Sequence, residues 1–405
     1  EVSDKLACTP LIELRRTVVA LQFGVFDHIE PQDGLTLKQS YDLRLTQIEK
    51  LDKAGFYAYH LAEHHSPAVH SLAPSQNVFL AAVSQRTTHL RFGPCVYVLP
   101  LHHPLRLIEE ISMLDHLSGG RMEIGVGRGG VLEAYFWGQE PDSDINFARY
   151  QETLNIMREG LNTEFLTYKG QFHSFDALPM RLQPEQRPYP PMWYMRNAET
   201  AALEGMNTVI VGTLESLKHE VVRYHEVWTK THGEGALTVQ GQEPKIGLVV
   251  HMVLDETDEK AIAAAKPAWD KYRWNLAAPR RMEAEKRGLT QFQTDTKEGG
   301  FGFTGARPAQ LPTRETRKDI DAELERFDEQ KGEKLDPTRL GGVALAGSPD
   351  SVRRYMAEYL ATGANYFVCS FQWGDLSHET AMRSIDLFTK EVMPHYVISK
   401  SAAAD

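Results

Sequence analysis

The sequence predicts an α/β fold, a (β/α)₈ TIM barrel with insertions, on three observations. From residue 21 onward, short apolar runs alternate with amphipathic stretches of helical period. About eight such runs occur, the number a closed barrel needs. The GxGxxG fingerprint of an open doubly wound sheet is missing after the first run, where LQFGVFDHIEP stands. The open sheet shares the alternation and remains the competing architecture on pattern alone.

The first strand is expected over 21–26, and a helix over 37–54 that stops at Gly55. A strand over 56–62 and a helix over 73–85 follow, then the FGPCVYVLP strand over 90–98. Pro104 stands where a first-turn proline is tolerated, opening a helix over 104–117. The fourth strand spans 122–127, and a helix 148–162 leads to a Gly-turned hairpin over 168–182. Strands over 192–195 and 208–212, a helix over 214–232, and strands over 246–254 and 365–371 complete the series. Most runs are rich in Val, Ile, Phe and Tyr, as strands buried on both faces are. Residues 278–340 are polar and charge-dense with four glycines between 299 and 305, an insertion expected over the top of the barrel as helices plus a loop. The domain reading is therefore an N-terminal extension over 1–20, one barrel over 21–398 carrying that insertion, and a frayed tail over 399–405.

A formal net charge of -11 argues against a general nucleic-acid binder, because phosphate backbones need a basic surface. No run approaches the roughly 18 apolar residues of a membrane span. Cys8, Cys95 and Cys369 are odd in number and widely spaced, which suggests neither a disulfide framework nor a zinc site and fits a reducing cytoplasm. The first 20 residues lack the apolar core of a signal peptide.

In a parallel barrel the chemistry sits where the strands' C-terminal ends meet. The second strand ends in AEHH, giving Glu63, His64 and His65. Side chains alternate along a strand, so adjacent histidines point apart and at most one faces the mouth. A metal site needs a closed ligand set that the sequence does not offer, and no metal is expected. The plain alternative is a strand cap. GVGRGG lets backbone N–H groups approach an anion, with Arg128 as a forked charge; its plain reading is a tight turn. RNAET after the fifth strand offers Arg196, the N-cap Asn197 and Thr200 to the same anion, or is an ordinary capped helix. Phe26 and Trp373, at the ends of the first and last strands, are the expected substrate-pocket residues.

With these motifs in place, the chain resembles the bacterial luciferase-like flavin-dependent monooxygenase family. FGVF, AEHH, FGPCVYVLP followed by HP, LDHLSGGRMEIGVGRG, GSPDSV, GANYFVCSF and SIDLFTKEVMPHY carry the resemblance in order over nearly the whole chain from Leu21 to Tyr396. The resemblance implies a barrel binding FMN at its strand ends, commonly as a homodimer. Reduced FMN and O₂ would oxygenate a small organic substrate through a flavin C4a-peroxide, with a separate flavin reductase supplying the reduced cofactor. It makes His64 the active-site histidine and Glu63 the carboxylate beside it. Cys95 and Val96 fall where relatives carry a non-prolyl cis peptide against the flavin. Met195, Arg196, Asn197 and Thr200 fall at the end of the fifth strand, and Arg128 matches a phosphate-binding arginine. Two departures stand out: Gly127 replaces a reactive cysteine, and Phe147 stands where relatives often carry an arginine, with Arg149 the nearest substitute. The alternatives on the same barrel are an F420-dependent dehydrogenase or reductase and a non-catalytic flavin-binding subunit.

Overall fold

A computed structural model describes residues 21–66, 71–289, 336–341 and 343–397. The N-terminal extension, the tail and most of the predicted insertion lie outside the described residues.

The barrel strands are β1 (Gln22–Asp27), β2 (Ala58–Leu61), β3 (Arg91–Pro94), β4 (Tyr97–Val98), β5 (Ile124–Gly127), β8 (Met192–Met195), β9 (Asn207–Ile210), β10 (Ile246–Leu254) and β13 (Tyr366–Ser370). Two further pairs lie beside them: the hairpin β6 (Phe165–Lys169) and β7 (Ser174–Pro179), and β11 (Arg339–Leu340) against β12 (Ala344–Gly347). The main sheet runs β3-β2-β1-β13-β10-β9-β8-β5-β4, its barrel neighbours parallel, with β12 added alongside β10. A parallel bridge from Phe92 to Met122 brings β3 back to the chain entering β5, so the ring closes. The expected single strand over 90–98 is thus two pieces separated at Cys95–Val96, whose peptide is cis. Closure removes the exposed edges an open sheet would keep.

Helices α1 (Leu37–Ala54), α2 (Gln76–Arg86), α3 (Pro104–Ser118), α4 (Val131–Phe136), α5 (Ser143–Gly160), α6 (Ala198–Leu203), α7 (Leu214–His232), α8 (Asp258–Lys286), α9 (Pro349–Leu360) and α10 (His378–Leu387) join the strands. Thr36 and Thr213 open α1 and α7 with reciprocal capping boxes, and Gly55 closes α1 in the left-handed region. The helix expected over 148–162 begins earlier, because Asp142 accepts from the N–H groups of Asp144 and Ile145 and so fixes the start. The short α4 before it carries no periodic signature long enough to read. The polar segment expected from residue 278 begins inside α8, whose stripe of Ala261, Ala265, Ala268, Trp269, Tyr272 and Leu276 packs on the barrel's upper rim.

Period-2 alternation sorts each strand into two cores. Phe23, Val25, Leu248, Val250, Met252, Phe367 and Cys369 face the helices, while Phe26, Ala62, Cys95, Trp193, Val209, Val249, Tyr366 and Val368 face the barrel axis. The N-terminal end of the axis is plugged by polar groups. The buried Glu123 carboxylate accepts from Tyr57 Oη at 2.7 Å, from Arg91 Nε and from Trp193 Nε1. Burial works against its charge, yet Arg91, Tyr57 and Lys245 hold it below the usual carboxylate range. Above it, His60 Nε2 and Tyr366 Oη lie 2.7 Å apart. With that end filled, the C-terminal end is left for chemistry.

Candidate functional site at the C-terminal mouth

The third strand position is where the mouth departs most from a regular barrel. The glycines of β5 and the turn after it stand directly against it. A Cβ on Gly125 would meet Pro94 O at 2.3 Å, one on Gly127 would meet Val96 Cγ2 at 2.5 Å, and one on Gly129 would meet Val98 Cγ1 at 2.3 Å. Three glycines of the predicted phosphate cradle are therefore also required by packing against the third strand position, a demand the motif alone does not show; of the four, Gly130 has no described atom within 4 Å of an added Cβ. Burial pushes the Cys95 thiol up to about 12, so it is no nucleophile.

The AEHH residues divide as alternation requires. Glu63 is fully buried and its carboxylate is occupied. It accepts from His65 Nε2 at 2.7 Å, from His102 Nε2 at 2.9 Å and from the Val98 N–H at 3.1 Å. Burial would raise its pKa, but His102 and His65 outweigh that and hold it below the usual range. Burial lowers and Glu63 more strongly raises the pKa of His102, which ends above that of a free imidazole. Glu63 thus ties the end of β2 to β4, and the expected catalytic carboxylate has the contacts of a positioning residue. His64 is half-buried and stacks on His28, ring centroids 5.3 Å apart and 25° from parallel. His65 meets Trp137 edge to face at 4.4 Å.

Beside this pair lies an aromatic wall. His28 contacts Phe26 at 4.9 Å and Tyr272 at 5.9 Å. His251 of β10 contacts Tyr272 at 4.5 Å, Trp269 at 5.6 Å and Trp373 at 5.8 Å. Both residues expected in the pocket, Phe26 and Trp373, stand in this wall. Under it Glu30 accepts from the Gly374 N–H at 2.9 Å and from Asn275 Nδ2 at 3.2 Å, while burial raises its pKa to about 7.

On the opposite side, Arg128 Nη1 reaches Ser143 Oγ at 3.4 Å, and its charge acts on Tyr194, whose ring lies 6.2 Å from that of Tyr150. Asn146 Nδ2 and Oδ1 and Tyr150 Oη are buried there with no hydrogen-bond partner among the described residues. Arg149 instead lies over the Phe172 ring at 4.2 Å, against the hairpin rather than on Ser143. Met195 packs against the axial core at the end of β8. Arg196 is exposed with φ 74, and Asn197 caps α6 by accepting from the Thr200 N–H at 2.8 Å.

The structure thus adds His28, Asn146, Tyr150, His251 and Tyr272 to the residues expected, and gives His102, expected only at the rim, a partner in Glu63. His28 and His251 were findable: they continue the inward alternation of Gly24 and Phe26, and of Gly247 and Val249. Asn146 and Tyr150 share one face at a spacing of four residues, but only the true start of α5 makes that visible.

The family model of luciferase-like monooxygenases matches residues 21–366. An uncharacterized protein of Sinorhizobium fredii is 34% identical over 380 residues, covering 92% of this chain and 96% of its own length. The FMN-bound oxygenating constituent of 3,6-diketocamphane monooxygenase from Pseudomonas putida, a type II Baeyer–Villiger enzyme, is similar in fold. Its TM-score is 0.68 at 18% identity, covering 94% of this chain and 100% of that one. The coenzyme F420-dependent tetrahydromethanopterin reductase of Methanopyrus kandleri follows the same fold at TM-score 0.62 and 17% identity, covering 93% and 99%.

Proposed function

The chain belongs to the luciferase-like monooxygenase family, and from that premise we propose that it is an FMN-dependent monooxygenase acting on a small organic substrate. One observation carries the reading. Cys95–Val96, His64 and Arg128 stand just beyond the C-terminal ends of β3, β2 and β5, at the barrel end away from the Glu123 plug.

The donor set suits a flavin mononucleotide. Arg128 and Ser143 would hold the phosphate, and the unpartnered Asn146 and Tyr150 offer donors and acceptors beside them. Arg196, Asn197 and Thr200 bring further donors at the end of β8. Cys95, Val96 and Met195 give the ring an apolar seat. Arg149, turned to Phe172, would reach the phosphate only by leaving that ring. When bound, reduced FMN supplies the electrons that activate O₂.

The protein's own part is to exclude water and handle one proton. His64 is the group for that, since an imidazole can both give and take a proton and its ring is held face to face with His28. Glu63 acts at one remove, fixing the strand end on which His64 stands. The chain lacks a nicotinamide fingerprint, and the P. putida neighbour is named as an oxygenating constituent; both favour a separate flavin reductase as partner. The second reading is an F420-dependent hydride transfer, which the M. kandleri likeness keeps in play.

Anaerobic titration with reduced FMN and with reduced F420, followed by admission of O₂, separates the two. Tight binding of reduced FMN and one O₂ consumed per product support the monooxygenase. Exclusive binding of F420 with no O₂ uptake sinks it.

A further inference from the structure

Resting on the proton-handling role given to His64 above, we propose that His28 is the positioning residue for His64. Its flat ring, set in place beside a left-handed turn at Ile29, fixes the plane of the His64 imidazole at the barrel mouth.

The two rings come from adjacent strands. β1 and β2 pair in parallel with Asp27 opposite Leu61, and His28 and His64 stand just past those strand ends. Their ring centroids lie 5.3 Å apart, with planes 25° from parallel. The two are not enclosed alike. His28 is 5% exposed, braced edge-on by Phe26 at 4.9 Å and at a tilt by Tyr272 of α8 at 5.9 Å, whereas His64 is half-buried. A ring packed on several sides sets the tilt of a less enclosed ring laid against it.

The backbone beside His28 is strained. Ile29 is buried with φ 52, in the left-handed region that a β-branched residue rarely enters. Such a conformation survives only where its surroundings over-determine it, and it clusters where function needs it. Here those surroundings are explicit. Asp27 Oδ1 accepts from the Ile29 N–H at 2.9 Å, and Ile29 O accepts from the Leu72 N–H at 3.0 Å. Asp27 Oδ2 is held in turn by Tyr59 Oη at 2.7 Å and by the buried Arg44 guanidinium at 2.9 Å. The chain is thus tied on both sides of His28. One tie is this turn, and the other is the strand ladder, where the Ala62 N–H donates to Asp27 O at 2.9 Å. Plain core packing gives no reason for a strained isoleucine; a ring whose tilt matters does.

The test compares His28→Phe, which keeps a flat ring, with His28→Leu, which keeps apolar bulk without one. In the flavin-free chain, the His64 ring-proton NMR signals, assigned by their loss in His64→Gln, report the stack through its ring current. His28→Phe should keep them displaced from free-histidine positions, and His28→Leu should return them toward those positions. The second readout is the rate of H₂O₂ release when O₂ meets the chain loaded with reduced FMN, which needs no organic substrate. His28→Leu should change that rate on the order of tenfold, as misplacing a reacting group does, and should add nothing in a His64→Ala background. His28→Phe should bring it back toward the parent. Unmoved His64 signals in His28→Leu, equal effects of the two substitutions, or additive effects of His28→Leu and His64→Ala would each overturn the proposal. If His28→Leu fails to fold, His28→Phe decides: displaced His64 signals support the proposal and free-histidine signals overturn it. A chain that binds no reduced FMN fails the flavin reading, and the NMR comparison stays readable.

Discussion

Replacing Glu63 by Gln should unfold the link between β2 and β4 without changing side-chain volume. The carboxylate takes three hydrogen bonds, from His65 and His102 and from the Val98 N–H, with no side-chain surface left to water. A Gln offers one acceptor oxygen and turns an NH₂ toward a ring nitrogen that already donates. Hydrogen bonds to a buried charge are worth about 1.5–3 kcal/mol each, and breaking a buried pair costs about 3–5 kcal/mol. We expect a loss near ~3 kcal/mol. For a chain of 405 residues, an unfolding entropy of roughly 2.1 cal/mol/K per residue converts that to a Tm lower by about 3–4 °C.

The pH dependence of the gap between parent and variant is the sharper assay. Glu63 has a folded pKa below its ordinary 4.5, so its contribution is complete above that value and is lost as pH falls through the folded pKa. His102 has a folded pKa above its ordinary 6.5, so its share is complete below that value and fades as pH rises through the folded one. The gap should therefore be widest between pH 4.5 and 6.5 and shrink on both sides. A variant that melts within 1 °C of the parent, or a gap that is flat from pH 4 to 9, refutes the linkage.

Glu30→Gln should act in the opposite sense. An acid whose folded pKa is raised from 4.5 to about 7 costs stability that accumulates as pH climbs between those values, on the order of 3 kcal/mol at most. The variant should gain on the parent between pH 5 and 8 in thermal melts, and a parallel profile would dismiss the effect. Gly125→Ala drives a methyl into Pro94 O, a backbone atom that cannot rotate away; about 1–3 kcal/mol of stability and most reduced-FMN affinity should go with it, read by denaturant midpoint and by titration. Arg128→Ala should weaken reduced-FMN binding by tenfold or more and flatten its salt dependence, while leaving the melt within about 1 °C. His64→Ala should leave flavin affinity near the parent value but lower product yield and raise H₂O₂ release; unchanged coupling removes His64 from the proton step.

The order of elements was legible because burial on both faces of a parallel strand leaves an apolar run too plain to miss. The strand over 192–195 and the helices over 37–54 and 214–232 match their sequence bounds. So was the division of His64 from His65, which follows from alternation alone. The start of α5 was not legible, since Asp142 caps it through side-chain geometry that neighbours in sequence do not announce. Nor was the reason for the glycines after Ile124: a glycine that admits an anion and one that admits the next strand are the same letter, and only the packed distances to Pro94, Val96 and Val98 tell them apart. The aromatic wall shows the same limit, because Phe26, His251 and Trp373 come from three different strand ends far apart in the chain and meet only when the ring of strands closes. Local periodicity is written along the chain, and so the chain alone determined a barrel with its chemistry at one end. Which polar atoms face one another across that end depends on closure, register and the path of α8, and these the tertiary structure decided.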